Sequence, residues 1–250
     1  KKKIKKILQL LGLLNFTKYL SSFRNKTIWH LIFKSQKKQD RWVIFKVLPF
    51  KKNGFFVDLA AADGITHSNT WALEFFFNWK GICIEPNPYF FNKLKRNRRC
   101  ILDDSIVNNK RELIKFRIDN GQLGGIVADD TDNNTQLRGE ELLAAEFIEK
   151  RAISLTDILD FHNAPLVIDY FSLDVEGSEE RVVKGIIFNK YIFKCITVER
   201  PTENVNNILF DNGYIFVKNY KYDSFYIHHS IKENVKIPFE EFSQVPQKDW

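Results

Sequence analysis

The stretch from Gly54 to Asn87, GFFVDLAAADGITHSNTWALEFFFNWKGICIEPN, constrains the chain more than any other. Phe55-Phe56-Val57 is a short apolar run that ends on Asp58, and a turn of small residues follows, Ala60-Ala61-Ala62-Asp63-Gly64. Ser68, Asn69 and Thr70 are all N-cap residue types, ahead of a segment that carries Trp71, Phe75 and Phe76 at helical spacing. Gly81-Ile82-Cys83-Ile84 reads as a second strand and stops at Glu85. Strand, tight turn, helix, strand and acidic stop predict a doubly wound α/β sheet. An acid about 20 residues beyond such a turn is placed to accept hydrogen bonds from the ribose of a nucleoside.

The turn narrows the choice of nucleoside. A dinucleotide fingerprint places glycines as G-x-G-x-x-G so that a pyrophosphate can sit on the helix N-terminus. Here the first two glycines are missing, and Asp58 and Asp63 put negative charge where the pyrophosphate would lie. That argues against NAD and suits a ligand with a cationic sulfonium and ammonium, S-adenosyl-L-methionine. The plain alternative is a strand-turn-helix of an ordinary α/β domain.

A chain of 250 residues holds one α/β domain, or one domain and an appendage. No run approaches 18 apolar residues, so no membrane-spanning helix is expected. Cys83, Cys100 and Cys195 are widely spaced and lie in or beside apolar runs. They read as buried, reduced thiols of an intracellular, cytoplasmic protein rather than as a disulfide or metal set. The charge is unevenly divided. Residues 1–53 carry 15 Lys and Arg against Asp40, a balance of +14, and the remainder is mildly acidic at −7. This predicts a basic, mainly helical arm over 1–53 and a catalytic domain over 54–250. Within the arm, Ile4, Ile7, Leu8, Leu11 and Leu14 share one helical face among lysines. Packing on the domain is the commoner fate of such a face. Peripheral contact with an anionic membrane through residues 1–20, or with an acidic partner, is the alternative.

Further along, residues 21–53 read as helical or mixed, with a strand at Trp42-Val43-Ile44-Phe45. Asn87 as N-cap and Pro88 at the first position start a helix. Its inner face is Phe90, Phe91 and Leu94, and its wet face is Lys93, Lys95, Arg96, Arg98 and Arg99. Cys100-Ile101-Leu102 forms a third strand, ended by Asp103-Asp104-Ser105. Leu113 to Ile118 alternates, and Gly121 to Gly125 is expected to turn between two short strands. The polar run Asp129 to Asn134 reads as a mobile lid or substrate loop, residues 139–149 as a helix, and Ser154 as the cap of a helix through Phe161. Leu166 to Leu173 is a strand that leads into Asp174-Val175-Glu176-Gly177. Strand alternation puts Asp174 and Glu176 on one side, near the carboxyl end of the strand where open α/β sheets bind ligands. Ser178 caps a helix to near Asn189, Tyr191 to Val198 is a strand ending in Glu199, and Thr202 opens a helix to Phe210. Tyr214–Lys218 and Ser224–His228 form a closing hairpin.

Taken in order, Phe56-Val57-Asp58 through Asp63-Gly64, Ser68-Asn69-Thr70 with Leu73-Glu74, Trp79 through Asn87, and Ser172 through Glu179 resemble the FkbM family of S-adenosyl-L-methionine-dependent methyltransferases. The blocks span roughly residues 53–200. The resemblance implies a class I methyltransferase fold (Rossmann-like): a seven-stranded, mostly parallel sheet with helices on both faces and the last strand antiparallel. Carried over by position, it implies that Asp58, Ala60, Ala61 and Gly64 line the methionine part of the cofactor, with Ser68 and Thr70 beside them. Glu85, next to Pro86, would hold the ribose, and Asp104 and Ser105 would flank the adenine. Asp174 and Glu176 would face the transfer site. The family turn usually reads Gly-Ala-Asn-Asp-Gly, and this chain has Ala60 and Ala62 in place of the first Gly and the Asn.

The resemblance further implies O-methylation of a hydroxyl on a sugar, glycan or secondary metabolite, which needs a base for the hydroxyl proton. Candidates are Asp174, Glu176, His67 and Glu199. His67 has a second reading, a loop histidine that fixes the turn. No histidine pair has metal spacing and no metal is expected, although a divalent cation on Asp174 and Glu176 is the lesser alternative. The basic helix after Asn87 lacks interleaved stacking aromatics, so no specific nucleic acid is expected. Two rival readings remain. One is a methyltransferase of protein or nucleic acid recruited by the basic arm. The other is a non-catalytic adaptor on a methyltransferase fold, for which Ala60 and Ala62 are the support.

Overall fold

The computed structural model describes residues 31–247. The basic helix expected over residues 1–20 therefore lies outside the described residues.

Seven strands form the central sheet: β1 (Phe55–Leu59), β2 (Lys80–Ile84), β3 (Ile101–Asp103), β6 (Val167–Leu173), β7 (Ile192–Glu199), β8 (Tyr214–Tyr220) and β9 (Asp223–His228). Their order is β3-β2-β1-β6-β7-β9-β8. β1 pairs in parallel with β2 and β6, β2 with β3, and β6 with β7, while β9 runs antiparallel to both β7 and β8. This is the class I methyltransferase topology implied by the resemblance, with the last strand as the reversed one. Order reverses between β1 and β6, so the carboxyl ends of these two strands open the crevice where ligands bind.

The central strands read as nearly continuous apolar runs because both of their faces are covered. Alternate residues feed two cores. Val57, Leu59, Ile82, Ile84, Phe171 and Phe193 face one side, against α5 (Leu155–Phe161), α6 (Glu179–Lys184) and α7 (Glu203–Asp211). Phe56, Cys83, Tyr170, Cys195 and Phe225 face the other side, against α2 (Trp71–Phe77) and α3 (Pro88–Asn97). The caps match the sequence. Asn87 Oδ1 accepts from Tyr89 N with Pro88 at the helix start, and Ser154 and Asp157 form a reciprocal capping box.

Several elements differ from expectation. Trp42-Val43-Ile44-Phe45 is not a strand: α1 (Gln39–Trp42) runs directly into a π-helical turn (Val43–Val47). A short, wholly apolar run does not distinguish a strand from a buried helix. This one is buried, and Phe33, Trp42, Val43, Ile44 and Val47 join the second core. Residues grouped by charge with the basic arm are thus packed on the sheet. β4 (Leu113–Arg117) meets a short return at Ile126, as expected of the Gly121 turn, but its full partner is β5 (Phe147–Arg151). β5 occupies part of the stretch expected to be helical, and of the remainder Gly139–Leu143 is a 3₁₀ turn. α6 ends at Lys184, short of Asn189, where Gly185 follows. Among the described residues, no helix is long and apolar enough to cross a membrane.

Candidate active site

A cavity of about 290 Å³ lies at the carboxyl ends of β1, β2, β6 and β7. Most of the expected site residues line it: Asp58, Ala60, Ala61, Ser68, Glu85 and Pro86 on the β1–β2 side, and Asp174 and Glu176 on the β6 side, with His67 at the mouth. Four expected residues do not. Gly64 (φ +78°) turns toward α3, where a Cβ would come within 2.6 Å of Leu94 and Arg98, so only glycine fits there. Thr70 is wholly buried and acts on Asp58 instead. Asp104 pairs with Lys150 at 2.7 Å, and Ser105 folds back so that its N–H donates to Asp103. β3 stops at Asp103, and Ile106 and Val107 reach the cavity in their place. An apolar pair suits an aromatic base better than the two polar residues.

The turn after β1 is pinned to β2. Ala60 N and Ala61 N both donate to Ile84 O, at 3.0 and 3.1 Å, and Ala62 N donates to Glu85 Oε2 at 2.8 Å. Glu85 Oε1 accepts from Asn87 N at 2.9 Å. Each carboxylate oxygen of Glu85 thus uses one lone pair on backbone and keeps one for a ligand hydroxyl. Burial pushes the Glu85 carboxyl up to about 7, with the Asp58 charge adding to the shift and the two backbone N–H groups opposing it.

Asp58 accepts from Thr70 Oγ1 at 2.5 Å and lies 3.9 Å from Arg98 Nη1. Burial raises its carboxyl, and the Arg98 guanidinium opposes that. Arg98, placed on the wet face by the helical pattern, is 5% exposed. It bonds to Glu74 through Nε, to Thr70 Oγ1 at 2.9 Å, and to Gly64 O and Ser68 Oγ at 3.3 Å. It is the positioning residue that the sequence reading missed. α3 ends at Asn97 and Arg98 is extended, so helical spacing no longer assigned its direction. Asn69 lies beside it, with Nδ2 on Ser172 Oγ at 2.9 Å, while its buried Oδ1 has no donor. The Ser178 hydroxyl, on the β6 side of the cavity, is likewise buried without a partner. The unsatisfied Asn69 acceptor, in the cavity that Asp58 also lines, fits a ligand that carries an ammonium group.

At the β6 end, Asp174, Glu176 and Glu199 each present an oxygen within 4.8 Å of the others. Burial and the neighbouring Glu199 and Glu176 carboxylates hold Asp174 well above the usual carboxylate range. Glu176 takes φ +52°, a strained value for a side-chain-bearing residue. Arg200 Nη2 spans Asp132 at 2.6 Å, Glu176 at 3.3 Å and Glu199 at 3.4 Å. This corrects the reading of residues 129–134 as a mobile loop, since Thr131 to Asn134 are buried and Arg200 anchors them. His67 is exposed, with Nδ1 2.7 Å from Gln36 Nε2 and 3.4 Å from Gln122 Oε1, so it ties the turn to the cavity rim.

Solved structures with similar folds include an FkbM methyltransferase from Methylobacillus flagellatus KT. It is 14% identical with a TM-score of 0.48, and the alignment covers 91% of this chain and 59% of that one. A precorrin-6y C5,15-methyltransferase from Geobacter metallireducens GS-15 is 12% identical with a TM-score of 0.40, covering 78% and 93%. A SAM-dependent methyltransferase from Aquifex aeolicus is 11% identical with a TM-score of 0.37, covering 82% and 98%. No curated protein sequence matches the chain. The family model described as the methyltransferase FkbM domain matches residues 58–222, about two thirds of the chain and the whole span from the first cavity strand to β8. The chain belongs to the FkbM family of S-adenosyl-L-methionine-dependent methyltransferases.

Proposed function

We propose that the protein methylates a hydroxyl oxygen of a sugar, glycan or secondary metabolite. The observation that carries this reading is the set of three carboxylates, Asp174, Glu176 and Glu199, converging where the cofactor cavity meets the ends of β6 and β7. When bound, the cofactor supplies an electrophilic methyl group on a sulfonium. The other requirements fall to the chain. Asp58 and Asn69 take the ammonium end, Glu85 takes the ribose hydroxyls, and Ile106 and Val107 flank the base. An acceptor oxygen must be held in line with the methyl group and lose its proton, and Asp174, in the cavity wall at the carboxyl end of β6, is the group placed to receive it. The polar rim of Gln36, Lys37 and Gln122 suits a hydroxylated acceptor.

The test is methyl transfer from isotopically labelled cofactor to a panel of hydroxylated glycans and small molecules, read by mass spectrometry. Asp174→Asn is expected to lower the rate by about 10²–10⁴-fold while calorimetric cofactor affinity stays near wild type. Asp58→Ala and Glu85→Ala are expected to lose cofactor binding. Full activity in Asp174→Asn, or labelling confined to amines, would overturn the reading.

A further inference from the structure

We propose that Asp174, Glu176 and Glu199 form a binding site for a divalent cation that prefers oxygen ligands, Mg²⁺ or Mn²⁺, with Asp223 contributing beside it. Oxygens on opposite sides of one Mg²⁺, each bound at about 2.1 Å, lie about 4.2 Å apart, so oxygens within 4.8 Å of one another need only a small side-chain adjustment to share it. The three carboxylates already offer oxygens within 4.8 Å of one another. Glu199 ends β7, and Asp174 and Glu176 lie in the turn that directly follows β6, its parallel neighbour, so the β6–β7 pairing brings the two segments together.

Asp223 is the independent observation. It is 4% exposed and lines the same cavity. Oδ1 is held by Gln39 Nε2 at 2.8 Å, but Oδ2 is buried with no hydrogen-bond donor. Asp223 is also the register partner of Glu199 across β7 and β9, so the two acids leave the sheet on one face, directly opposite each other. Like charges in that position repel, and a buried carboxylate oxygen without a donor is destabilising. Arg200 does not resolve this. Its closest contact is Asp132, and it reaches Glu176 and Glu199 only at 3.3 and 3.4 Å. A cation held by the three carboxylates relieves the repulsion among them and supplies positive charge in the cavity that Asp223 also lines. An acceptor hydroxyl drawn to it would ionise more easily beside the cofactor.

The site stands on carboxylate geometry, so its test is separable from that of methyl transfer. The intact 250-residue chain is treated with EDTA and titrated with Mn²⁺ by calorimetry and by the EPR signal of free Mn²⁺, without cofactor or acceptor. One saturable Mn²⁺ site per chain is expected, displaced by Mg²⁺. Glu199→Gln and Asp174→Asn should each weaken it about tenfold or more, and Glu149→Gln on the exposed face of β5 should leave it unchanged. Circular dichroism confirms that each variant is folded, and Asp223→Asn, expected to weaken the site too, replaces any that is not. Absence of saturable binding, or affinity that survives these substitutions, would overturn the proposal. Cofactor titration in the same samples reports separately on the methyltransferase site.

Discussion

Ala60 and Ala62 hold φ of +64° and +47° in the cofactor turn. This is the left-handed region, where a Cβ crowds the following carbonyl at about 1–2 kcal/mol per residue. The turn persists because three N–H groups in succession, Ala60 to Ala62, are bonded to Ile84 and Glu85. Ala60→Gly should therefore stabilise the chain by about 1 kcal/mol, part of the gain offset by glycine's larger unfolded-state entropy. For a chain of this size that raises Tm by about 2–4 °C in a thermal melt, and a lowered Tm would show that the alanine methyl is packed rather than strained. Arg98 is the opposite case. Its guanidinium is the cation beside the buried carboxylates of Asp58 and Glu74. Arg98→Met should cost about 3–5 kcal/mol in urea unfolding, because two buried acids lose their partner. Arg98→Lys should recover part of this, since a point charge cannot also reach Gly64, Ser68 and Thr70. A loss below about 1 kcal/mol in Arg98→Met would mean that those acids are neutral in the folded chain.

At the scale of elements, the sequence is most legible where one residue type has one local job. Asn87-Pro88 starts α3, Ser154 and Asp157 close the capping box of α5, and Glu85 ends β2, all as read from residue types and spacing. It is least legible where the partner is remote. Residues 129–134 look like a solvated loop because they are polar, yet Asp132 is held by Arg200, 68 positions away, and Thr131 Oγ1 donates to Ile126 O at 2.6 Å. The triad at the transfer end was half visible: alternation paired Asp174 with Glu176, but only the β6–β7 register brings Glu199 to them. The packing of residues 31–53 on the second core is hidden for a similar reason, since a charge count registers lysines and not which apolar side chains are covered. Trp42 packs edge-to-face on Phe225 at 4.9 Å, and Gln39 bonds to Asp223. Deleting residues 1–53 should therefore uncover the second core and abolish the cooperative unfolding transition, as read by near-UV circular dichroism. A truncated chain that still melts sharply would show that this segment is an appendage after all.

At the scale of the whole molecule, the domain buries more acids than it neutralises, and this sets its response to pH. Burial raises Asp40 from its ordinary value to about 6, against hydrogen bonds from Ser35 and Arg41, and raises Glu85 to about 7. In the unfolded chain these groups ionise near 3.8 and 4.5. Between those values and the folded ones the unfolded state has released its protons while the folded state keeps them, so the unfolded state gains as pH rises. Their contribution to stability is complete below about pH 4, is lost between about pH 4 and 7, and is flat above. At about 1.4 kcal/mol per unit, each acid loses about 3 kcal/mol across that window. Surface acids in ion pairs behave in the reverse sense. Asp157 beside Arg111 and Asp130 beside Arg181 are held below the usual range, and their contribution is lost only as pH falls below about 4. The two sets together place the stability maximum of the ligand-free chain near pH 4, below the usual near-neutral optimum. Thermal melts from pH 4 to 8 should show Tm falling from about pH 4 to 7, with Asp40→Asn flattening the lower part of that slope. A Tm that is level or rising across this window would mean that buried cations already balance these carboxylates.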